Sequence, residues 1–177
     1  MESKKQKASK KRQSGFSILE VVIAIFIITM GLIGILSLMG QNLQAKYVNK
    51  NGLIASMLAQ EGLELVRNKR DNNVVNAESF KEGMLSATYA IDLENFYTVP
   101  SINSAAAVLK TNTGGFYCNA NWPVLNLTCN PDKSSFSRVV TIVDHVHYLD
   151  VVCLVRYKKG NNNYDYSART QIYDWNK

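Results

Sequence analysis

The feature that most constrains the fold is a run of twenty uncharged, mostly apolar residues, Val21 to Gly40, which directly follows Glu20. An α-helix rises about 1.5 Å per residue, so a run of this length spans roughly the 30 Å hydrocarbon core of a bilayer. Residues 21–40 are therefore predicted to form a transmembrane helix. A carboxylate at the edge of a membrane is costly and is normally paired. The sequence thus predicts a specific partner for Glu20.

Most of the positive charge of the chain precedes this run. The chain carries a formal net charge of +6, of which residues 1–15 contribute +5. Basic residues beside a transmembrane helix favour the cytoplasmic side. We therefore expect a single-pass protein of the cytoplasmic membrane with its C-terminus outside. The remaining charge of +1 gives no general reason to expect binding to nucleic acid.

Two ordinary interpretations of the N-terminal region explain it only in part. A cleaved secretory signal has a shorter apolar core, of about 7 to 15 residues, followed by small residues at the cut, whereas "LMGQNLQAKY" offers no convincing A-x-A exit. A plain single-pass anchor accounts for the apolar run and its basic flank. It leaves Glu20 and the preceding Gly-Phe pair unexplained.

The order of residues in "KKRQSGFSILEVVIAIFIITMGLIGIL" is more specific. A basic leader, a glycine, a phenylalanine, a glutamate four residues later and an apolar run resemble the class III signal of type IV prepilins and pseudopilins. The resemblance implies that a prepilin peptidase cuts between Gly15 and Phe16 on the cytoplasmic side and methylates the new amine of Phe16. It also implies that Glu20 neutralises this amine on a neighbouring subunit during filament assembly. A pair between Glu20 and the amine of its own chain is the alternative.

Two further expectations come with the resemblance. Filaments of this family loosen part of the N-terminal helix on assembly, often near a proline. This chain has no proline before Pro100, so Gly31 and Gly34 are the candidate weak points. The expected organisation is a basic leader over residues 1–15, a transmembrane and assembly helix over 16–40, and an extracytoplasmic pilin-like globular domain over 41–177.

Periodicity predicts an α+β fold for the rest of the chain. Apolar residues with helical spacing at Tyr47, Ile54, Leu58 and Leu65 predict that one helix runs from Phe16 to about Arg70. Alternation and β-branched residues predict strands in four later segments. These segments are "SATYAIDL", "SRVVTIVDHVHY", "LDVVCLVRY" and "YDYSARTQIYDW", with "KKGNNN" as a hairpin loop. A long helix packed through its second half on a roughly four-stranded antiparallel sheet is therefore expected.

The remaining candidate chemistry is sparse. Cys118 and Cys129 could close a short disulfide loop across "CNANWPVLNLTC" in an oxidising compartment, or all three cysteines could be unpaired thiols. His145 and His147 lie near two aspartates, but two surface histidines are a better interpretation than a metal site. No nucleophile elbow, P-loop or zinc-protease motif is present in the sequence. We predict no enzyme, no cofactor and no metal.

The predicted function is structural: a minor pilin or pseudopilin of a type IV pilus-like filament. The phrases "LAQEGLELVRNKRDNN" and "SARTQIYDWNK" also resemble minor pilins of the pilus-modification type. The implied partners are prepilin peptidase, other pilin subunits, the inner-membrane assembly machinery and membrane lipid. One alternative is a DNA-uptake or adhesive subunit that binds through residues 95–135, with Trp122 and Tyr117 as contacts. Another is a membrane-anchored extracytoplasmic domain unrelated to pili.

Overall fold

The computed structural model describes residues 15, 17–92, 96–112, 117–118 and 129–174, with the backbone alone for 112 and 129–133. Its contacts divide the chain into two units, residues 1–46 and 47–177. The first unit is helical over its described residues from Ile18 onward. The second contains the remainder of the helix and the whole β-sheet. The fold is the α+β, pilin-like architecture that the sequence predicts.

Helix α1 extends over Ile18–Val75. It continues five residues past the expected end at Arg70, through the polar residues that were expected to end it. Asn73 explains this extension, because its side chain is buried and donates to the carbonyl oxygen of Glu82 at 2.8 Å. A tertiary hydrogen bond thus outweighs the weak intrinsic helix propensity of asparagine.

Seven antiparallel strands form the sheet within the described residues. The long strand β5 pairs with β1, β3 and β6, while β2 borders β1, β4 borders β3 and β7 borders β6. The strands are β1 Ala87–Ile91, β2 Phe96–Thr98, β3 Val108–Asn112, β4 Tyr117–Cys118, β5 Cys129–Asp144, β6 Tyr148–Lys159 and β7 Asn162–Tyr173.

The four predicted strand segments correspond to β1, β5, β6 and β7. The predicted hairpin after β6 is confirmed, with Gly160 at a φ of +58° in a two-residue connection, a conformation that favours glycine. Strand β5 ends at Asp144, so His145 and His147 lie in the connection to β6 rather than on a strand. The sheet exceeds four strands because it also contains β2, β3 and β4, which the sequence did not predict. Strands β2 and β4 have only three and two residues, too few to show alternation.

The main core lies between the second half of α1 and the sheet. On α1 the buried face includes three small residues, Ala55, Ala59 and Gly62, among larger ones such as Leu63 and Val66. The expected face was only partly right, since Leu58 is buried but Tyr47 is 44% exposed. Small side chains allow the sheet to approach the helix backbone closely, so they determine which face is covered. The sheet contributes Tyr89, Ile91, Val140, Ile142, Leu149, Val151, Cys153 and Val155.

Candidate assembly site

The N-terminal end of α1 places Glu20 in the first helical turn. The carbonyl oxygen of Ser17 accepts hydrogen bonds from the backbone N–H groups of Glu20, at 3.0 Å, and Val21, at 3.3 Å. The Glu20 side chain is exposed and complements the positive end of the helix dipole. Its carboxylate is therefore open to a partner from another molecule.

The predicted cut lies directly before this turn. Gly15 is exposed and outside the helix, and a Cβ atom built on it meets no atom within 4 Å. An open backbone of this kind is what a protease needs to reach the peptide bond. Phe16 lies outside the described residues, so the roles of Gly15 and Phe16 stay predictions.

The predicted weak points do not interrupt the helix in the isolated chain. Gly31 and Gly34 are helical, and a Cβ atom on either would meet open space. Neither glycine is needed for packing within the chain. Their loosening on assembly therefore remains a prediction about the filament.

The helical surface after Glu20 is apolar and exposed throughout the first unit. Large aliphatic and aromatic side chains there, such as Ile27 at 65% and Leu36 at 66%, are mostly in solvent contact. Among the described residues, α1 is the helix that is long and apolar enough to cross a membrane. The mean hydropathy of its most apolar segment is 2.8, and no part of that segment is buried. Such a surface needs lipid or other helices to cover it.

Comparison with known families identifies this segment. Residues 10–36 match the family described as the prokaryotic N-terminal methylation motif. They form the class III signal of type IV prepilins. No curated protein and no solved structure gave a significant match. The motif supports a pilin-like, membrane-anchored chain that prepilin peptidase processes, and it points to a structural subunit of a pilus-type filament.

In this pilin-like chain, the second half of α1 approaches the sheet very closely at Gly62. A Cβ atom on Gly62 would stand 2.6 Å from the Sγ of Cys153 and 3.3 Å from the Cδ of Arg138. Such a separation from sulfur is too short for any real Cβ atom. Gly62 is therefore required by the packing of helix on sheet.

Arg138 lies between helix and sheet, with its side chain only 4% exposed. Its guanidinium donates to the carbonyl oxygens of Leu58 on α1, at 3.2 Å, and Ile91 on β1, at 3.3 Å. Glu61 supplies the countercharge at 3.3 Å. A buried cation with these partners connects three elements and fixes their relative positions. Nothing in the strand pattern of the sequence distinguished Arg138 from a solvent-facing residue.

Cys118 and Cys153 differ in their covalent state. Cys118 is disulfide-bonded, whereas Cys153 is a free thiol buried in the core. Burial raises the pKa of Cys153 to about 12, which keeps the thiol protonated and unreactive. The side chain of Cys129 lies outside the described part of the chain, so its pairing with Cys118 stays a prediction.

Tyr117 and Trp122 are the two aromatic residues that the sequence suggested as contacts of a binding surface. Tyr117 packs edge to face on Phe136, with ring centroids 5.5 Å apart, and burial raises the pKa of its phenol. Trp122 lies outside the described residues. A partly buried ring of this kind contributes to the core more than to a binding surface.

The carboxylates near His145 and His147 have cationic partners within the chain. Lys81 donates to Asp144 at 2.9 Å, and Arg169 donates through Nε to Asp150 at 2.8 Å. Arg169 lowers the pKa of Asp150 through this hydrogen bond. Within the described ranges, no three His, Cys, Asp or Glu side chains group as metal ligands. These acids therefore stabilise the sheet and its connections.

Proposed function

We propose that this chain is a minor pilin or pseudopilin of a type IV pilus-like filament. It is made as a precursor, inserted through residues 21–40 and cut between Gly15 and Phe16, with methylation of the new amine. Its globular part lies outside the cytoplasmic membrane before assembly and on the filament surface afterwards. The observation that carries the proposal is the methylation motif at residues 10–36 at the head of an exposed apolar helix.

Two features support the proposed orientation. The first fifteen residues hold six of the chain's twenty basic residues, and such a cluster favours the cytoplasmic side. Cys118 is disulfide-bonded, which is usual in oxidising compartments outside the cytoplasm. Both features favour a cytoplasmic leader and an extracytoplasmic sheet.

Glu20 has the assembly role in this proposal. Cleavage creates a positive amine on Phe16, four residues before Glu20 along the chain. The carboxylate is exposed, so it can pair with the amine of an incoming neighbour. Because a lone charge inside an apolar bundle is unfavourable, this pair selects for subunits that have been cut.

The test is mass spectrometry of the mature N-terminus, on chain isolated from membranes of cells that contain prepilin peptidase. The expected product begins at Phe16 and carries one added methyl group. Cells without the peptidase provide the control and should retain residues 1–15. An uncut chain, or a cut after residue 40, in the peptidase-containing cells would contradict the proposal.

A further inference from the structure

A cavity of about 440 Å³ lies on the face of the sheet opposite α1. On β6, Val155 and Tyr157 belong to the core beneath α1, so the alternate residues Arg156 and Lys158 lie on the other face. Both line the cavity, together with Ile102, Val108, Ser135 and Ser137. The volume is within the range of roughly 300–1,000 Å³ that is usual for small-molecule sites.

Hydrogen bonds within the chain fix the walls of this cavity. Arg156 donates through Nη1 to the Oδ1 atom of Asn103 at 3.1 Å, and through Nε and Nη2 to Asp165 at 2.7 Å. These bonds hold the segment before β3 against β6. The hydroxyl of Ser134 donates to the carbonyl oxygen of Leu109 at 2.8 Å, which joins β5 to β3. The cavity therefore exists before a ligand arrives, and a preformed site loses less entropy on binding.

Lys158 is the uncompensated charge at this cavity. The carboxylate of Asp165 neutralises Arg156. Lys158 is exposed and has no hydrogen-bond or ion-pair partner among the residues that the structure describes. Within the same residues, the hydroxyls of Ser135 and Ser137 also make no hydrogen bond. The cavity thus presents one ammonium and two hydroxyls to a ligand.

This combination fits a sugar that carries one carboxylate. Because Asp165 and Asn103 occupy the fork of Arg156, an anionic ligand meets the single charge of Lys158, which one carboxylate balances. Serine hydroxyls both donate and accept hydrogen bonds, as the hydroxyls of a sugar do. Ile102 and Val108 form an apolar wall for the C–H groups of a sugar ring.

We propose that this cavity binds a saccharide that bears a carboxylate. Lys158 pairs with the carboxylate, and the hydroxyls of Ser135 and Ser137 bond to hydroxyls of the ring. This inference goes beyond the proposed function and does not depend on it. The cavity lies on the face of the sheet away from α1, so contacts made through that helix leave it open.

Saturation-transfer NMR on the full-length chain in detergent micelles, at low ionic strength, tests the site with D-glucuronate as the probe. D-Glucose is the matched ligand, because it has a hydroxymethyl group in place of the carboxylate. Glucuronate should bind at least about tenfold more tightly, since a hydrogen bond to a charged group contributes about 1.5–3 kcal/mol. Equal binding of the two sugars, or no binding of glucuronate, would overturn the proposal.

Lys158→Gln and Lys159→Gln are a matched pair of variants. They remove the same charge from adjacent residues of β6, but the Nζ of Lys159 lies 5.6 Å from the ring centroid of Tyr47 on α1, away from the cavity. Lys158→Gln should weaken glucuronate binding about tenfold or more, whereas Lys159→Gln should leave it unchanged. Equal losses in the two variants would indicate general charge attraction and overturn the site.

A further variant separates binding from folding. Lys158→Arg keeps the positive charge and should retain most of the affinity for glucuronate. Because the Lys158 side chain is exposed, thermal unfolding of Lys158→Gln should match that of the parent chain. A parallel loss of thermal stability and of binding would assign the effect to the fold and overturn the proposed role of Lys158.

Other probes distinguish the kind of ligand. Glucuronate and N-acetylneuraminate share the carboxylate, and the one that binds more tightly identifies the class of acidic sugar. Tighter binding of inorganic phosphate or duplex DNA than of either sugar, lost in Lys158→Gln, would overturn the saccharide assignment. If the chain binds glucuronate but is not cut at Phe16, the proposed function fails and this inference stands.

Discussion

A Cβ atom on Gly62 of α1 would lie 2.6 Å from the Sγ of Cys153 on β6. The helix and the sheet therefore approach each other at a distance that only glycine allows. Gly62→Ala is expected to destabilise the globular unit by about 1–3 kcal/mol, because the added methyl overpacks the core, although alanine is the better helix former. Thermal unfolding of the full-length chain in detergent measures the change.

Gly52→Ala is the matched control on the same helix. The nearest atom to its added Cβ would be the hydroxyl oxygen of Tyr157 at 3.8 Å, an ordinary contact. We expect a stabilisation of up to about 1 kcal/mol from helix propensity alone. Opposite signs for the two alanines would confirm the close approach at Gly62, and equal effects would contradict it.

The buried guanidinium of Arg138 depends on Glu61 for its countercharge. Glu61→Gln leaves that cation with neutral partners alone, so the unfolding free energy should fall by about 1–3 kcal/mol. Denaturant unfolding of Glu61→Gln measures this fall in unfolding free energy. Glu78→Gln is the control variant, because Glu78 is exposed and lies outside the helix. Equal stability of the two variants would show that Glu61 does not support Arg138.

The thiol of Cys153 predicts a loss of stability at high pH. Burial raises its folded pKa to about 12 from the ordinary thiol value of 9.0. Above pH 9 the unfolded chain releases this proton while the folded chain keeps it. Stability should therefore fall between pH 9 and 12, at up to about 1.4 kcal/mol per pH unit from this group.

Thermal unfolding between pH 8 and about 9.5 tests the alkaline slope, because most lysine and tyrosine side chains titrate above that range. Cys153→Ala should be less stable at pH 8 because it leaves a cavity, yet its stability should depend less on pH. A slope unchanged by the substitution would assign the effect to other groups.

Acid should weaken the pairing of β6 with β7. Arg156 donates to both carboxylate oxygens of Asp165 at 2.7 Å and lowers the pKa of Asp165 in the folded chain. The stabilisation is complete above the unfolded pKa of about 3.9 and is lost as the pH falls through the lower folded pKa. Asp165→Asn should flatten the dependence of stability on pH below about 4, whereas Glu82→Gln, an exposed control, should not.

Glu20→Ala is predicted to separate processing from assembly. The cut depends on the Gly15–Phe16 bond, so most of the chain should still begin at Phe16. Incorporation into sheared filaments should fall strongly, since the neighbour's amine has lost its partner. Immunoblots of the membrane and filament fractions measure both steps, with Glu82→Ala as the control. Normal incorporation of Glu20→Ala would refute the charge-pairing role.

The sequence alone determined the N-terminal region and the fold class. The order Gly15, Phe16, Glu20 and apolar run is local, so the prepilin signal needs no tertiary contact to be recognised. The long strands β5, β6 and β7 and the hairpin at Gly160 were also predictable, because periodicity and turn residues are properties of neighbours in the chain.

Only the tertiary structure decided which face of α1 is buried, where α1 ends and which charges lie inside. The small residues Ala55, Ala59 and Gly62 face the sheet because they permit close approach, and this turns Leu53 and Met57 outward. Arg138 is buried because carbonyl oxygens from α1 and β1 converge on it. Such contacts join residues far apart in the chain, and no local pattern of the sequence encodes them.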